Sequence, residues 1–346
     1  MSQLVIVGAG FAGIATAYHL SRRGVKDILL LEREEGPGVF ASGRNAGLLR
    51  QSSDDEPTAG LLLPGARAAR FLLRGIPGAI QGSGSLIMGA NIDRLRAGPR
   101  AKFLDASERV PGLVGRALFD PDDAMIDPAA LLSVYEEGAR RRGVQFGYGE
   151  PVTGVATRDG KVVSVQTPRR EIEAHGLVCA AGAWAGRVAS LAGSDGIEIH
   201  PKRRHLFRGG LDGADAQDWP FVWNDENSVY FRPEGGGMLL SPCDVEAHPA
   251  DDPVFDPSQA ERLAEKLIST FGDLGEWRVG PGWPCLRTFT GDNRFLIGWD
   301  PKVGGLFWVA ALGGHGVTSS WAVGQQAAEV FLGRRPAGPF DPARFG

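Results

Sequence analysis

At 346 residues, with 37 lysines and arginines against 41 aspartates and glutamates and a formal net charge of −4, the chain is long enough for two domains, each with its own core. The acidic balance excludes the basic footprint of a nucleic-acid binder, and no apolar run reaches the roughly 18 residues of a membrane-spanning helix. Cys179, Cys243 and Cys285 are too scattered for a zinc site or a disulfide framework, so no metal is expected.

The chain starts almost directly on its first strand, Leu4-Val5-Ile6-Val7, leaving no room for a leader, and a cytoplasmic location is expected. Gly8-Ala9-Gly10-Phe11-Ala12-Gly13 follows, then a run with helical apolar spacing from Phe11 to Arg23, a stop at Gly24, and a second strand, Ile28 to Leu31, closed by Glu32 and Arg33. In this strand, turn, helix and strand, Gly8 allows the tight turn, Gly10 lets backbone approach a pyrophosphate, and Gly13 lets the helix pack on the strand. Helix-end amides then face the phosphates. Glu32 stands about 20 residues on, where an acid meets a ribose hydroxyl. The unit predicts an adenine dinucleotide with an unphosphorylated ribose, FAD or NAD rather than NADP.

Fifty glycines and 23 prolines spread through the chain predict many tight turns and no disordered linker. The stretch from Leu61 to Asp123 carries no clear pattern. Asp127-Pro128 caps a helix running to Arg142. Val152 to Thr157, Lys161 to Thr167 and Glu171 to Ala181 read as strands, the first two joined by Asp159-Gly160. Ser228 to Arg232 and Met238 to Ser241 flank a glycine-rich turn as another antiparallel pair, and Asp256-Pro257 opens a helix ending near Phe271. The end returns to α/β: a strand at Phe307 to Ala311, a turn at Gly313-Gly314-His315-Gly316, and a helix from Val317 to Leu332. Glycines there admit a flat ring, and a helix N-terminus would stabilise the anionic edge of a reduced flavin. With no second GxGxxG unit for a separate NAD domain, FAD is preferred over NAD.

These pieces, in their order, resemble the FAD-dependent D-amino acid oxidase superfamily, with its glycine oxidase, sarcosine oxidase and D-amino acid dehydrogenase members. The matching segments are Val5 to Gly13 with Glu32-Arg33, Ala41-Ser42-Gly43-Arg44-Asn45-Ala46-Gly47, Asp127-Pro128, Ala180-Ala181-Gly182-Ala183-Trp184, and Leu286-Arg287-Thr288 leading to Gly313-Gly314-His315-Gly316-Val317. The resemblance implies an α/β fold with an α+β insert: a Rossmann-like FAD-binding domain from residues 1–80, 128–200 and 285–346, and an antiparallel β-sheet substrate domain from residues 81–127 and 201–284. It places Gly8, Gly10, Phe11, Ala12, Gly13, Glu32 and Arg33 at the dinucleotide. Ser42, Arg44, Asn45, Ala46 and Gly47 go to its middle, Val152 to the adenine, Ala181, Gly182 and Trp184 beside it, and Gly313, Gly314, His315, Gly316, Val317 and Thr318 along the flavin edge. Trp184 equally suits plain packing, and His315 a structural role.

On the substrate side, the resemblance gives Arg287 the carboxylate-binding task, with Arg50 as a second arginine used for it in sarcosine oxidases and Tyr230 as an active-site tyrosine. A planar, permanently charged guanidinium holds a carboxylate bidentately. Cys285 stands where monomeric sarcosine oxidase links covalently to flavin, although a free buried cysteine and non-covalent FAD are favoured. Leu239 and Thr318 fall where sarcosine oxidases carry lysines, so the electron acceptor is oxygen or a quinone or other carrier. The expected activity is oxidation of the C–N bond of an amino acid or secondary amine by hydride transfer to flavin N5. Alternatives are a 2-hydroxy acid dehydrogenase, a flavin monooxygenase suggested by Gly291-Asp292, and a noncatalytic flavin-binding or electron-transfer subunit.

Overall fold

A computed structural model describes residues 3–346. Its first sheet is built around Gln3–Val7, which pairs in parallel with Ile28–Leu31 on one side and Glu171–Cys179 on the other. Outside these lie Gln145–Gly147 and Leu306–Ala310, also parallel, and Leu296–Trp299 closes one edge antiparallel. Leu4 to Val7 and Ile28 to Leu31 are buried throughout, as in parallel strands covered on both faces. The amino-terminal half of Glu171–Cys179 continues into an antiparallel meander with Lys161–Gln166 and Gly154–Arg158. Strand bounds fall within two residues of those read from the sequence, because alternation and turn glycines mark both ends.

Six α-helices complete the described chain: α1 (Phe11–Arg22), α2 (Glu56–Leu73), α3 (Pro128–Arg140), α4 (Ala185–Leu191), α5 (Ser258–Phe271) and α6 (Gly316–Phe331). Asp127 caps α3 through the amides of Ala129 and Ala130, with Pro128 at its first position. The helices of the first sheet cross at glycines. A Cβ at Gly324 of α6 would lie 2.6 Å from the Ala15 carbonyl oxygen of α1, and one at Gly65 of α2 would lie 2.0 Å from the Thr318 carbonyl oxygen of α6. Such crossings bring whole backbones together and bury the α1 face of Ile14, Ala15 and Ala17.

The second sheet has eight strands in the spatial order Glu276–Phe289, His200–Asp212, Gly237–Ser241, Val229–Glu234, Phe221–Asn224, Ser85–Met88, Arg116–Asp120 and Lys102–Asp105. All neighbours are antiparallel except Phe221–Asn224 with Ser85–Met88. On this sheet α5 buries Leu263, Leu267 and Phe271 against Phe231 and Phe207. A small third sheet joins Leu48–Leu49, Ala124–Ile126 and Ile80–Gln81. The long strand Glu276–Phe289 runs through the boundary drawn at residue 285 from the sequence. Residues 81–127 supply three strands to the second sheet, while Ala124–Ile126 belongs to the third. Among the described residues, no helix is long and apolar enough to cross a membrane.

Candidate active site

A cleft of about 1150 Å³ lies between the carboxyl ends of the first sheet's parallel strands and the face of the second sheet. At one end is the glycine turn after Gln3–Val7. Gly8 has φ +110°, and a Cβ there would lie 2.4 Å from the Ala180 carbonyl oxygen. A Cβ on Gly10 would lie 2.9 Å from Ser42 Oγ, which itself accepts the Phe11 amide at 3.0 Å. No side chain otherwise caps α1, so its first-turn amides remain available to an anion. Glu32 is fixed from two sides: its carboxylate accepts the Ala9 amide at 2.7 Å and the Glu34 amide at 3.1 Å. A carboxylate has about four acceptor sites, so lone pairs remain for a ligand. Glu150, buried and paired with Arg170, donates its amide to the Glu32 carbonyl two residues before Val152.

The other end is framed by the turn before α6 and by the second sheet. α6 also lacks a side-chain cap at His315, so a second uncapped helix start opens on the same cleft. Four of the six non-glycine residues with positive φ, Ser228, Cys243, Asn293 and Ala311, line this cleft. Such strain concentrates where a site over-determines its backbone. Arg287 projects from Glu276–Phe289 with its Nε buried and without a hydrogen-bond partner. Burial, reinforced by Arg204, pushes its pKa down to about 10. Arg50 lies 4.6 Å over the Trp223 ring, and burial lowers its pKa also. Tyr230 is buried beside Phe221, and its phenol is pushed up to about 12 by burial, so it is a neutral donor. Burial, followed by Arg50 and Arg287, drives the His315 imidazole down to about 3, so it is neutral at physiological pH.

A family model described as "DAO: FAD dependent oxidoreductase" matches residues 3–330. The chain belongs to this FAD-dependent oxidoreductase family. It is 23% identical over 397 residues to rat dimethylglycine dehydrogenase, covering 100% of this chain and 45% of that protein. With Bacillus licheniformis glycine oxidase it shares 24% identity over 371 residues, covering 95% of this chain and 92% of the relative. Its fold matches a crystal structure of L-proline dehydrogenase from P. horikoshii with a TM-score of 0.88 at 20% identity, over 99% of this chain and 97% of the other. The chain thus spans less than half of the dimethylglycine dehydrogenase, which carries further sequence of its own.

The residues present fit FAD. The Gly8 and Gly10 cradle has no room for a Cβ, the α1 amides suit a pyrophosphate, and the anchored Glu32 suits a ribose. The cleft exceeds the ~300–1,000 Å³ of an ordinary small-molecule site, as a dinucleotide sharing it with a substrate requires. Gly8, Gly10, Phe11, Ala12, Glu32, Arg33, Ser42, Asn45, Ala46, Val152, Ala181, Gly182, Trp184 and Gly313 to Val317 all line it, as do Arg50, Tyr230, Cys285 and Arg287. Trp184 packs against Phe40 and carries the Arg33 guanidinium 3.9 Å over its ring.

Four expected residues do not line the cleft. Gly13 is spent on close packing, since a Cβ there would lie 1.9 Å from the Gly8 carbonyl oxygen. Gly47 packs likewise on Ile126, and the Arg44 side chain turns onto Phe40. Thr318 Oγ donates to the Leu48 carbonyl and accepts the Arg50 amide, both at 3.1 Å, so it ties α6 to the strand Leu48–Leu49 and the residue that follows it. Leu239 is buried in the second sheet. Neither Leu239 nor Thr318 offers a cation to the cleft. The sequence reading missed Arg204, Trp223, Phe221 and Cys243, which line the same end. Arg204 donates to the Asp244 and Cys243 carbonyls and lies opposite Cys285 in the strand pair. No local motif marks it, because its neighbours arrive from segments about 40 and about 80 residues away. Cys285 itself is buried, and burial raises its thiol pKa.

Proposed function

We propose that the protein oxidises the C–N bond of a small carboxylated amine, an amino acid or secondary amine of the glycine, sarcosine or D-amino acid kind. Arg287 carries this reading: a half-buried guanidinium with a buried, unpartnered Nε and no ionic partner, beside the α6 turn, calls for an anion from outside the chain. The names of the relatives, dimethylglycine dehydrogenase, glycine oxidase and L-proline dehydrogenase, are those of enzymes for carboxylated amines and support the assignment.

Bound FAD supplies the acceptor for the hydride of the substrate α-carbon, and the resulting imine hydrolyses in water. The chain contributes binding and orientation. Arg287 holds the carboxylate bidentately and so fixes the α-carbon. Tyr230, a neutral phenol, donates to a substrate oxygen from the second sheet. His315 takes no proton at neutral pH, and an amine that binds unprotonated needs no base from the protein. Trp223, Phe221 and Leu206 form the apolar wall of this end and exclude water. The electron acceptor is oxygen or a quinone or other carrier.

Anaerobic addition of glycine, sarcosine, proline, D-amino acids and 2-hydroxy acids to the yellow holoprotein tests the reading. Bleaching by an amine supports it, and recovery in air then separates oxidase from dehydrogenase. Bleaching by 2-hydroxy acids alone would replace the amine with an alcohol, and no bleaching by any of them would favour a noncatalytic flavin carrier.

A further inference from the structure

The charges along the cleft do not balance at its substrate end. Six carboxylates line it: Glu32, Glu34, Glu150, Asp54, Asp55 and Asp292. Five are committed to the chain itself, Glu32 to two amides, Glu34 to Arg33, Glu150 to Arg170, Asp55 to Arg294 and Asp292 to Arg344. Asp54 is exposed to solvent. Among the cations, Arg33 and Arg187 pair with Asp252 and Asp251, Arg204 reaches Asp244 and two carbonyls, and Lys202 rests over the Phe289 ring.

Arg50 and Arg287, like Lys202, have no ion-pair partner among the described residues and rest over aromatic rings; the two arginines are the cations that lie within electrostatic reach of both His315 and Tyr230. Asp123, buried behind Arg50, is an incomplete counter-ion. Its oxygens are engaged by the Gln51 amide, Gln51 Nε2 and Ser85 Oγ, and burial with Asp120 raises its pKa to about 7. A further buried donor without a partner, Trp223 Nε1, belongs to the ring on which Arg50 stacks. The pyrophosphate cradle at Gly8 to Ala12 is made of amides and needs neither guanidinium.

Arg50 and Arg287 are half-buried in the wall of one cleft, Arg287 with a buried, unpartnered Nε, and two such guanidiniums facing one space suit a ligand that brings two negative charges. We propose that the substrate is a dicarboxylate amine, with one carboxylate held by Arg287 and the second by Arg50. This rests on the amine-oxidising reading and narrows it. The apolar wall of Phe221, Trp223 and Tyr230 calls for a short hydrocarbon link between the acidic groups.

The FAD-loaded protein is titrated, by calorimetry and by perturbation of the flavin spectrum, with non-oxidisable probes: malonate, succinate and glutarate, each against the monocarboxylate of equal chain length. One dicarboxylate should bind at least about tenfold more tightly than its monocarboxylate counterpart, the gain of one further charge-assisted contact. Arg50→Gln should remove that preference, whereas Arg287→Gln should weaken binding of both members of each pair. Equal affinities within every pair in the wild type, or a preference that survives Arg50→Gln, would overturn the proposal. The wild-type comparison stands even if a variant does not fold. Bleaching by simple carboxylated amines without dicarboxylate preference would remove this inference and keep the oxidase reading. Dicarboxylate preference with no amine able to bleach the flavin would instead remove the amine reading, and the proposal with it.

Discussion

Replacing Arg287 by methionine separates the stability of the protein from its capacity to bind. In the ligand-free cleft, burial and Arg204 push the guanidinium pKa down to about 10. At about 1.4 kcal/mol per pKa unit, its distance from arginine's ordinary ~12.5 corresponds to about 3 kcal/mol against the charged form. Water in the open cleft screens part of this, and replacing even a buried ion pair by well-packed apolar chains is often neutral or stabilising by ~1–4 kcal/mol. Arg287→Met should therefore stabilise the substrate-free, FAD-loaded protein by about 1–3 kcal/mol, a rise in Tm of roughly 1–4 °C. The same change should abolish measurable carboxylate binding, because a bidentate, charge-assisted contact disappears. Thermal unfolding of the holoprotein with and without saturating carboxylate reads both effects. Wild type should gain Tm on adding the carboxylate, and the variant should start higher and gain nothing. A variant less stable than wild type without ligand, or one still stabilised by carboxylates, would refute the reasoning.

Asp123 should govern a separate pH dependence. Its folded pKa of about 7 lies above the ordinary carboxylate value, so between about pH 4 and 7 the unfolded chain is ionised while the folded one stays protonated. Its contribution therefore falls as pH rises through that window. Asp123→Asn keeps one oxygen for Gln51 and can donate to Ser85 Oγ, so its Tm should exceed that of wild type at pH 8 and match it near pH 4; lower stability at pH 8 would contradict this. Gly13→Ala places a Cβ 1.9 Å from the Gly8 carbonyl oxygen, backbone against backbone. It should cost a few kcal/mol and yield protein without bound flavin, and a yellow variant with wild-type flavin content would count against the cradle. Cys285 is a buried, protonated thiol. Acid precipitation should release all flavin into the supernatant, whereas flavin retained by the protein band on a denaturing gel would show a covalent link.

The nucleotide-binding unit was legible because strand, turn, helix and acid follow one another in about 30 residues, although only Gly13 is fixed by a contact within the unit, Gly8 and Gly10 meeting Ala180 and Ser42 from elsewhere in the chain. Arg287 was legible only through its resemblance-bearing neighbours, and Arg204, on the adjacent strand, was not. Its role depends on pairing with Cys285 and on the loop carrying Cys243 and Asp244, none of which is local. The stretch from Leu61 onward was opaque for a different reason. α2 contains Gly60, Pro64 and Gly65, which read as helix breakers, yet Gly65 is where α2 meets the backbone of α6. Tertiary packing reversed the local signal. A position next to the turn before α6 does not reveal that the Thr318 hydroxyl is engaged by Leu48 and Arg50.

If a carboxylate held by Arg287 presents the amine for oxidation, the best bleaching amine and its own amide should differ sharply under anaerobic conditions. The acid should reduce the flavin and yield one carbonyl product per flavin reduced, while the amide, lacking the negative charge, should leave the spectrum essentially unchanged at the same concentration. Equal reduction by acid and amide would show that Arg287 does not hold the substrate by its carboxylate.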